Sequence, residues 1–320
     1  MPADALALAF ATGLDVQRDV PLGPYTSLKV GGPADLFGRA RGATELVRCL
    51  DAAERLTTPW LVLGGGSNVL ISDRGFRGLV VKAERPATQQ RNSAEVLAES
   101  AETVRLRCDA GLLTAGVARW TAGLGWTGLE WACGIPGTIG GAATGNAGAY
   151  GGDMASNVER VEAWFPDGER TLTVEEMGYA YRTSRFKRAE SAERGVILTV
   201  ELALAPGARE DALARIEANE RQRHEKQPTE RSCGSVFENP SPHSAGQLVE
   251  SAGLKGTAAG GAQISEKHGN FFINRGGATA ADIVALIRLA RQRVVETHGV
   301  RLEIEILLTG DWQPDEVEDL

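Results

Sequence analysis

The sequence predicts an α+β fold in two lobes, with the boundary between them near residue 206. Predicted strands and helices are mixed along the chain and do not alternate strictly, which disfavours a doubly wound parallel sheet. Hydrophobic residues make up 42% of the chain and charged residues 24%, and these globular values exclude a disordered or fibrous protein. The 320 residues suffice for two or three domains of roughly 100–200 residues each.

The elements of the first third follow from hydrophobic spacing. Apolar residues three and four positions apart predict a helix over 44–56, with Thr44 as its N-cap. An apolar run predicts a strand over 60–63, and another strand is expected over 78–81. Residues 104–108 alternate between apolar and polar side chains, as a half-buried strand does.

The middle of the chain combines a helix, a hairpin and a further strand. Residues 112–120 have helical spacing. The Pro-Asp-Gly sequence at 166–168 is a turn signal, so we expect a hairpin of strands 158–165 and 170–174 around it. The apolar segment 196–204 predicts another strand.

The sequence changes at Pro206-Gly207 from an apolar strand to a charged helix. A charged helix over 210–226 opens the predicted second lobe. An amphipathic helix is predicted over 281–297, and Gly299 is positioned to end it. The chain then alternates over 300–308, which predicts a closing strand.

Net charge and hydropathy narrow the function classes. The formal charge is −8 and the pI is about 5.3, which argues against a nucleic-acid binder but leaves room for one small anionic ligand. No apolar run approaches the ~18–20 residues of a membrane helix. The apolar N-terminal stretch lacks basic residues and contains Asp4, so we interpret it as a helix or a lead-in and not as a signal peptide.

The cysteines and histidines indicate no metal site. The four cysteines are widely spaced and form no C-x-x-C pair, so we expect reduced, mostly buried thiols in a cytoplasmic protein. The four histidines are scattered, and all of them lie beyond residue 206. They are His224, His243, His268 and His298.

Glycine is the compositional outlier, with 39 residues, and it concentrates in two loops. Gly64–Asn68 follows a predicted strand and exposes several amide groups without side chains, an arrangement that favours phosphate oxygens. A tight turn that closes the strand would explain this loop equally well. The second glycine-rich loop, Gly134–Gly152, favours the phosphate-binding interpretation over the turn. So many glycines cost backbone entropy on folding, and a ligand that the backbone must approach closely would explain that cost. Two such loops in one lobe indicate a dinucleotide cofactor.

The dinucleotide site indicated here is not of the Rossmann type. Residues 123–128 (GLGWTG) match G-x-G-x-x-G formally, but a predicted helix precedes them where the Rossmann fingerprint needs a strand. No G-x-x-x-x-G-K-[ST] sequence occurs, so a P-loop is excluded as well.

Several sequence blocks in fixed order carry a family resemblance that covers residues 20–310. They are PYTSLKVGGPADLF (24–37), LGGGSNVLISD (63–73), GIPGTIGGAATGNAGAYGG (134–152), YRTSRFK (181–187), CGSVFENP (233–240), LVESAGLKG (248–256), ISEKHGNFFIN (264–274) and GVRLEIEILLTG (299–310). With these blocks the chain resembles the UDP-N-acetylenolpyruvoylglucosamine reductases, flavoproteins of peptidoglycan precursor synthesis.

The resemblance implies a fold and a reaction. The fold is a two-subdomain FAD-binding lobe of the vanillyl-alcohol-oxidase type (1–82 and 83–206), followed by an α+β substrate-binding lobe (207–320). NADPH reduces non-covalently bound FAD, and hydride then passes to the enolpyruvyl group of the UDP-sugar, giving UDP-N-acetylmuramate. The implied setting is the cytoplasm, in cell-wall biogenesis, cell shape and cell division, with the enzyme acting as a monomer.

Three catalytic residues carry over from the matching blocks. Arg182 would bind the substrate carboxylate, although an arginine in isolation is usually a solvated surface residue. Ser235 would donate a proton to the α-carbon of the substrate's enolpyruvyl group, although the Cys-Gly-Ser sequence by itself indicates a turn. Glu305 would assist Ser235 or stabilise the enol. Alternation in the predicted strand places Glu303 and Glu305 on one face and does not distinguish them, so the choice of Glu305 rests on the resemblance.

The resemblance also implies binding residues. Those for the cofactor are Tyr25, Gly64, Gly65, Gly66, Ser67, Asn68, Gly134, Ile135, Pro136, Gly137, Gly145, Asn146, Gly148 and Val200. Those for the UDP-sugar are Arg223, Lys226 and Asn239, although Lys226 is equally explained as a cation that favours a helix C-terminus.

The chain departs from the family pattern in three places. No tyrosine follows Tyr181 before residue 196, which indicates the shorter class without a capping-loop tyrosine. Glu238 stands where a lysine is common and Leu307 where an arginine is common, and both changes remove positive charge near the expected diphosphate. Two alternatives stay open at this stage: another FAD oxidoreductase of the same superfamily, and a catalytically silent UDP-sugar binder.

Overall fold

The computed structural model describes residues 5–90, 92–188 and 194–320. Its helices are α1 (Ala5–Thr12), α2 (Ala43–Arg55), α3 (Thr114–Gly123), α4 (Ile139–Thr144), α5 (Arg185–Arg188), α6 (Arg209–Lys226), α7 (Ala245–Ser251), α8 (Ala280–His298) and α9 (Pro314–Val317). Its strands are β1 (Val16–Pro21), β2 (Pro33–Arg41), β3 (Trp60–Leu63), β4 (Val69–Ile71), β5 (Phe76–Glu84), β6 (Glu95–Glu99), β7 (Val104–Asp109), β8 (Trp126–Thr127), β9 (Gly148–Ala149), β10 (Gly152–Asp153), β11 (Val158–Phe165), β12 (Gly168–Thr173), β13 (Val196–Pro206), β14 (Arg231–Ser235), β15 (Ala258–Ala259), β16 (Ala262–Ile264), β17 (Phe271–Asn274) and β18 (Leu307–Thr309).

The N-terminal stretch is helical over α1, while residues 1–4 of the predicted lead-in lie outside the described residues. The first sheet follows, with strand order β1-β2-β5-β3, in which β5 pairs parallel to both β2 and β3. Helix α2 buries Leu46 and Leu50 against it, as the spacing predicts. The predicted N-cap is wrong: the helix begins at Ala43, and Gly42, with φ 85°, precedes it where Thr44 was expected. A glycine suits that left-handed backbone.

The second sheet is antiparallel, with strand order β12-β11-β13-β7-β6. The predicted hairpin is confirmed, since β11 and β12 pair around the Pro-Asp-Gly turn. Trp164 of β11 lies edge-on to Trp60 of β3, with ring centroids 5.6 Å apart, so the first two sheets share a hydrophobic cluster.

The third sheet has strand order β14-β17-β16-β15, and α7 and α8 pack on it. The prediction for α8 is confirmed at both ends. The hydroxyl of Thr279 accepts a hydrogen bond from the Asp282 amide at its start, and Gly299, with φ 67°, ends it in the left-handed region.

The predicted strand 300–308 is wrong over most of its length. Only β18 is a strand, and it pairs parallel to β4 of the first lobe, while Ile304 makes an isolated bridge to Phe237. The reason is that the segment divides its hydrogen bonds between lobes. The Glu305 amide donates to the Val236 carbonyl and the Leu307 amide to the Asn68 carbonyl.

Helix α6 packs on α3 and on the short 3-10 turn Glu130–Ala132, where its Ala212 and Ile216 join the core of the second sheet. The division of the chain at residues 82/83 and 206/207 stays a prediction. The four cysteines are free and buried, as expected. Among the residues that the structure describes, none of the helices has the length and apolar character needed to cross a bilayer.

Candidate functional site: two glycine loops at the lobe boundary

The two glycine loops lie directly against each other. The hydroxyl of Ser67 donates to the Pro136 carbonyl at 3.0 Å. A Cβ on Gly65 would lie 2.4 Å from the Gly137 Cα, closer than any real contact, so a side chain there would force the loops apart. Glycine at position 65 is therefore required by the approach of one loop to the other.

These loops present a row of free amide groups. In the described part of the chain, no protein acceptor receives a hydrogen bond from the amides of Gly65, Gly66, Ser67, Asn68, Gly137 and Thr138. Five of these six residues are half-buried or buried, and buried amides without a partner are uncommon in folded proteins. Converging amides without side chains form an anion nest, which fits the pyrophosphate of a dinucleotide such as FAD.

Tyr25 adjoins the first loop through its main chain. Gly66 has φ 62°, and a Cβ there would lie 2.2 Å from the Tyr25 carbonyl oxygen. The Tyr25 ring packs on Phe37 with centroids 4.6 Å apart, and its hydroxyl accepts a hydrogen bond from Arg39 at 3.2 Å. The structure thus places this predicted cofactor residue at the base of the nest.

Some of the other predicted cofactor residues lie in the second glycine loop, and the rest are buried in the protein interior. Gly134, Ile135 and Pro136 continue the second loop, and Gly145 follows α4. Asn146 is buried and its side chain is used within the protein: Oδ1 accepts from the Ala155 amide and Nδ2 donates to the Ala180 carbonyl, both at 3.0 Å. Val200 lies fully buried in the core of the second sheet.

Arg182 and Glu305 meet at the end of the second glycine region. Arg182 Nε lies 3.3 Å from Glu305 Oε1, and the same guanidinium donates to the Gly148 carbonyl at 2.6 Å. Arg182 itself has φ 55°, an uncommon backbone angle for a residue other than glycine. Two of the predicted catalytic residues, from different lobes, are therefore in contact.

Burial distinguishes the two glutamates that alternation could not. The side chain of Glu305 is 17% exposed and that of Glu303 is 66% exposed. Burial raises the pKa of the Glu305 carboxyl, while the positive charges of Arg182 and Lys187 act in the opposite direction. Of the two, Glu305 is the more buried carboxyl, and it lies beside Arg182.

Ser235 ends strand β14, opposite Phe271. Its neighbour Val236 accepts the hydrogen bond from the Glu305 amide at 2.9 Å, so the serine lies one residue from the anchor of the Glu305 main chain. Gly234, the preceding residue, has φ 79°, and a Cβ there would have nothing within 4 Å. Burial raises the pKa of Cys233 to about 12, so this thiol stays protonated and structural.

The predicted substrate residues are only partly brought together. Arg223 lies against the second loop, since a Cβ on Gly134 would meet its Cδ at 2.7 Å, and burial lowers the pKa of this arginine. Asn239 Nδ2 donates to the Tyr181 hydroxyl at 3.2 Å, next to Arg182. Lys226 is exposed at the end of α6, and no hydrogen bond or ion pair among the described residues connects it to the others.

Sequence reasoning missed Lys187 at the site, and it noted Glu238 only as a departure from the family pattern. Lys187 Nζ lies 3.6 Å from Glu238 Oε1 and donates to the Arg182 carbonyl at 2.9 Å. Lys187 is the last residue of the YRTSRFK block, and its position in that block is the sequence feature that could have identified it. Leu307, the other departure from the family pattern, is 48% exposed at the start of β18.

Comparison with known proteins agrees with this geometry. Residues 34–173 match a family model described as an FAD binding domain, and they contain both glycine loops. Residues 226–309 match the model of the UDP-N-acetylenolpyruvoylglucosamine reductase C-terminal domain, which includes Ser235 and Glu305. An FAD-binding domain joined to this C-terminal domain defines a flavin-dependent oxidoreductase of the α+β class.

Whole-chain relatives narrow the class to one family. The UDP-N-acetylenolpyruvoylglucosamine reductase of Heliobacterium modesticaldum is 42% identical over 91% of this chain and 90% of its own length. That of Chloroflexus aggregans is 42% identical over 92% and 97%. The crystal structure of the Thermus caldophilus reductase superposes with a TM-score of 0.76 at 34% identity, covering 92% of this chain and 99% of that one. The chain belongs to the UDP-N-acetylenolpyruvoylglucosamine reductase family.

Proposed function

We propose that this enzyme reduces UDP-N-acetyl-3-O-(1-carboxyvinyl)glucosamine to UDP-N-acetylmuramate with NADPH as the hydride donor. The reaction would take place in the cytoplasm, as a step of peptidoglycan precursor synthesis that supports cell shape and division. The observation that carries the proposal is the contact between Arg182 and Glu305 at the end of a free amide nest. FAD, when bound there, supplies the hydride chemistry between the nicotinamide and the enolpyruvyl carbon.

The glycine loops hold the cofactor in this proposal. Free amides of 65–68 and 137–138 take the pyrophosphate, because most of these donors are partly or fully buried and need an acceptor. Asn146 holds the second loop through its side-chain hydrogen bonds, and Val200 belongs to the hydrophobic core against which Ile135 of that loop packs. The proposed domain division is 1–82 and 83–206 for the cofactor and 207–320 for the substrate.

Arg182 binds the substrate carboxylate. Its guanidinium is a fixed positive charge whose planar donors match a carboxylate, and it draws electron density from the enol ether as hydride adds. The ion pair with Glu305 keeps the guanidinium at the lobe boundary until the substrate arrives. Arg223, Lys226 and Asn239 bind the remainder of the UDP-sugar.

Ser235 delivers the proton to the α-carbon, and Glu305 supports it. A hydroxyl is a weak acid, but a carbanion-like or enol species of the substrate is basic enough to take its proton. Burial raises the pKa of Glu305, so this carboxyl takes up a proton more readily than an exposed glutamate does, which suits a group that assists proton delivery.

An anaerobic stopped-flow experiment tests the proposal. Enzyme reduced with NADPH is mixed with the enolpyruvyl UDP-sugar, and flavin absorbance is followed, with UDP-N-acetylglucosamine as the matched control that lacks the enolpyruvyl group. We expect rapid reoxidation by the first compound and none by the second. Reoxidation that is no faster with the enolpyruvyl UDP-sugar than with UDP-N-acetylglucosamine would contradict the proposal.

A further inference from the structure

Lys187 occupies a junction between the two lobes. It lies in α5 of the cofactor lobe, its side chain is 22% exposed, and its Nζ faces Glu238, which follows β14 in the substrate lobe, at 3.6 Å. The same nitrogen donates to the Arg182 carbonyl at 2.9 Å. Arg182 needs such support, because a left-handed φ in a residue with a side chain persists only when its surroundings hold it.

The charges of Lys187 and Glu238 also act on the Glu305 carboxyl. The charged and titratable groups around that carboxyl are Arg182, Lys187, Glu238 and the buried thiol of Cys233. Lys187 lowers the pKa of Glu305 and Glu238 raises it. The two partners therefore act on Glu305 with opposite signs, so each can be tested against the other.

We propose that Lys187 is a positioning residue for the reduction, with Glu238 as its counter-ion: together they hold the Arg182 main chain at the lobe boundary and set the charge around Glu305. This inference rests on the proposed function, since Arg182 and Glu305 are the groups through which Lys187 acts. It also assigns a role to Glu238, whose carboxylate neutralises the charge of Lys187 across the boundary between the two lobes.

The competing explanation is an ordinary surface ion pair. Exposed pairs of this kind contribute little, because water screens both charges. Lys187 differs in being mostly buried and in making a second bond to a catalytic residue's main chain. Its removal leaves the Arg182 carbonyl without that donor and Glu238 without a partner, and an unpaired polar group of this kind costs more than the pair contributes.

The test uses FAD-loaded enzyme and anaerobic stopped flow. Lys187→Met, Lys187→Arg and Glu238→Gln are compared with Lys255→Met, which removes a similarly buried lysine, 25% exposed, that pairs with Glu250 at 2.9 Å. We expect Lys187→Met to retain FAD and its reduction by NADPH, and to slow reoxidation at saturating enolpyruvyl UDP-sugar at least tenfold. Lys187→Arg should recover most of the rate, and Lys255→Met should match the wild type.

The pH dependence of reoxidation separates positioning from packing. The midpoint of the rate profile should move to higher pH in Lys187→Met and to lower pH in Glu238→Gln. Equal reoxidation rates in Lys187→Met and Lys255→Met would overturn the proposal, as would a slower rate with midpoints that stay fixed or move in the same direction. If the wild type itself were not reoxidised by the enolpyruvyl UDP-sugar, the proposed function would fail instead.

Discussion

Arg182 and Glu305 come from different lobes, yet the guanidinium Nε of one lies 3.3 Å from the carboxylate of the other. Each is held by its own lobe: Arg182 by the Gly148 carbonyl and by Lys187, Glu305 by the Val236 carbonyl. The site therefore exists only where both lobes meet. Its activity should respond to changes on either side of that boundary.

The first prediction concerns the glycine nest. Gly65→Ala would bring a methyl group to 2.4 Å from the Gly137 Cα, so the loops must separate and the amide donors diverge. We expect the purified protein to lose most of its FAD, with the dissociation constant raised on the order of a hundredfold, as the loss of one or two charge-assisted hydrogen bonds would give. Fluorescence titration of the apoprotein with FAD measures this.

The matched control is Gly38→Ala in β2, where a Cβ has nothing within 4 Å and the backbone is extended. It should bind FAD like the wild type. If Gly65→Ala also bound FAD normally, the close approach of the two loops would not matter for the cofactor.

The second prediction concerns Asn146, whose side-chain amide makes its hydrogen bonds to other groups of the protein. Asn146→Ala leaves the Ala155 amide and the Ala180 carbonyl unpaired at a buried position, so the free energy of unfolding should fall by about 1–3 kcal/mol. Asn146→Gly, which accepts the positive φ of 43°, should recover part of the loss. Urea unfolding of the apoproteins measures it. If Asn146→Ala instead left the free energy of unfolding unchanged and weakened FAD binding, the Asn146 side chain would act by contacting the cofactor directly.

The third prediction follows from the raised pKa of Glu305. Because the folded state binds this proton more tightly than the unfolded state, the stability associated with it is present at low pH and is lost as pH rises through the folded pKa. Compared with Glu305→Gln, the wild type should therefore lose stability as pH rises above about 4.3, the ordinary glutamate value. Thermal melting of both proteins between acid and neutral pH gives the difference, and a gain for the wild type over that interval would contradict the pKa direction.

Local elements could be predicted from the sequence, but the pairing between lobes could not. Strand β7, helix α8 and the 166–168 hairpin follow from periodicity, capping and turn chemistry, which act over a few residues. The segment 300–308 alternates like a strand, yet its partners lie at Val236 and Asn68, at two distant places in the chain. Periodicity carries no information about such partners.

The candidate site shows the same limit. The glycine content predicted the nest, and the family resemblance singled out Arg182, Ser235 and Glu305. The functions of Asn146 and Lys187 depend on what their side chains contact, and hydrogen bonds to Ala180 and Arg182 leave no trace in composition or spacing. Glu303 and Glu305 were likewise indistinguishable until burial separated them.

The most direct test of the central claim is the pair of half-reactions of Ser235→Ala, each measured by anaerobic stopped flow. Removing one hydroxyl from a site that is otherwise intact should leave FAD content and reduction by NADPH at wild-type values. Reoxidation by the enolpyruvyl UDP-sugar should slow by about 10²–10⁴-fold, the usual contribution of a positioned proton donor. Equal slowing of both half-reactions, or reoxidation at the wild-type rate, would contradict the assignment of Ser235 as the proton donor.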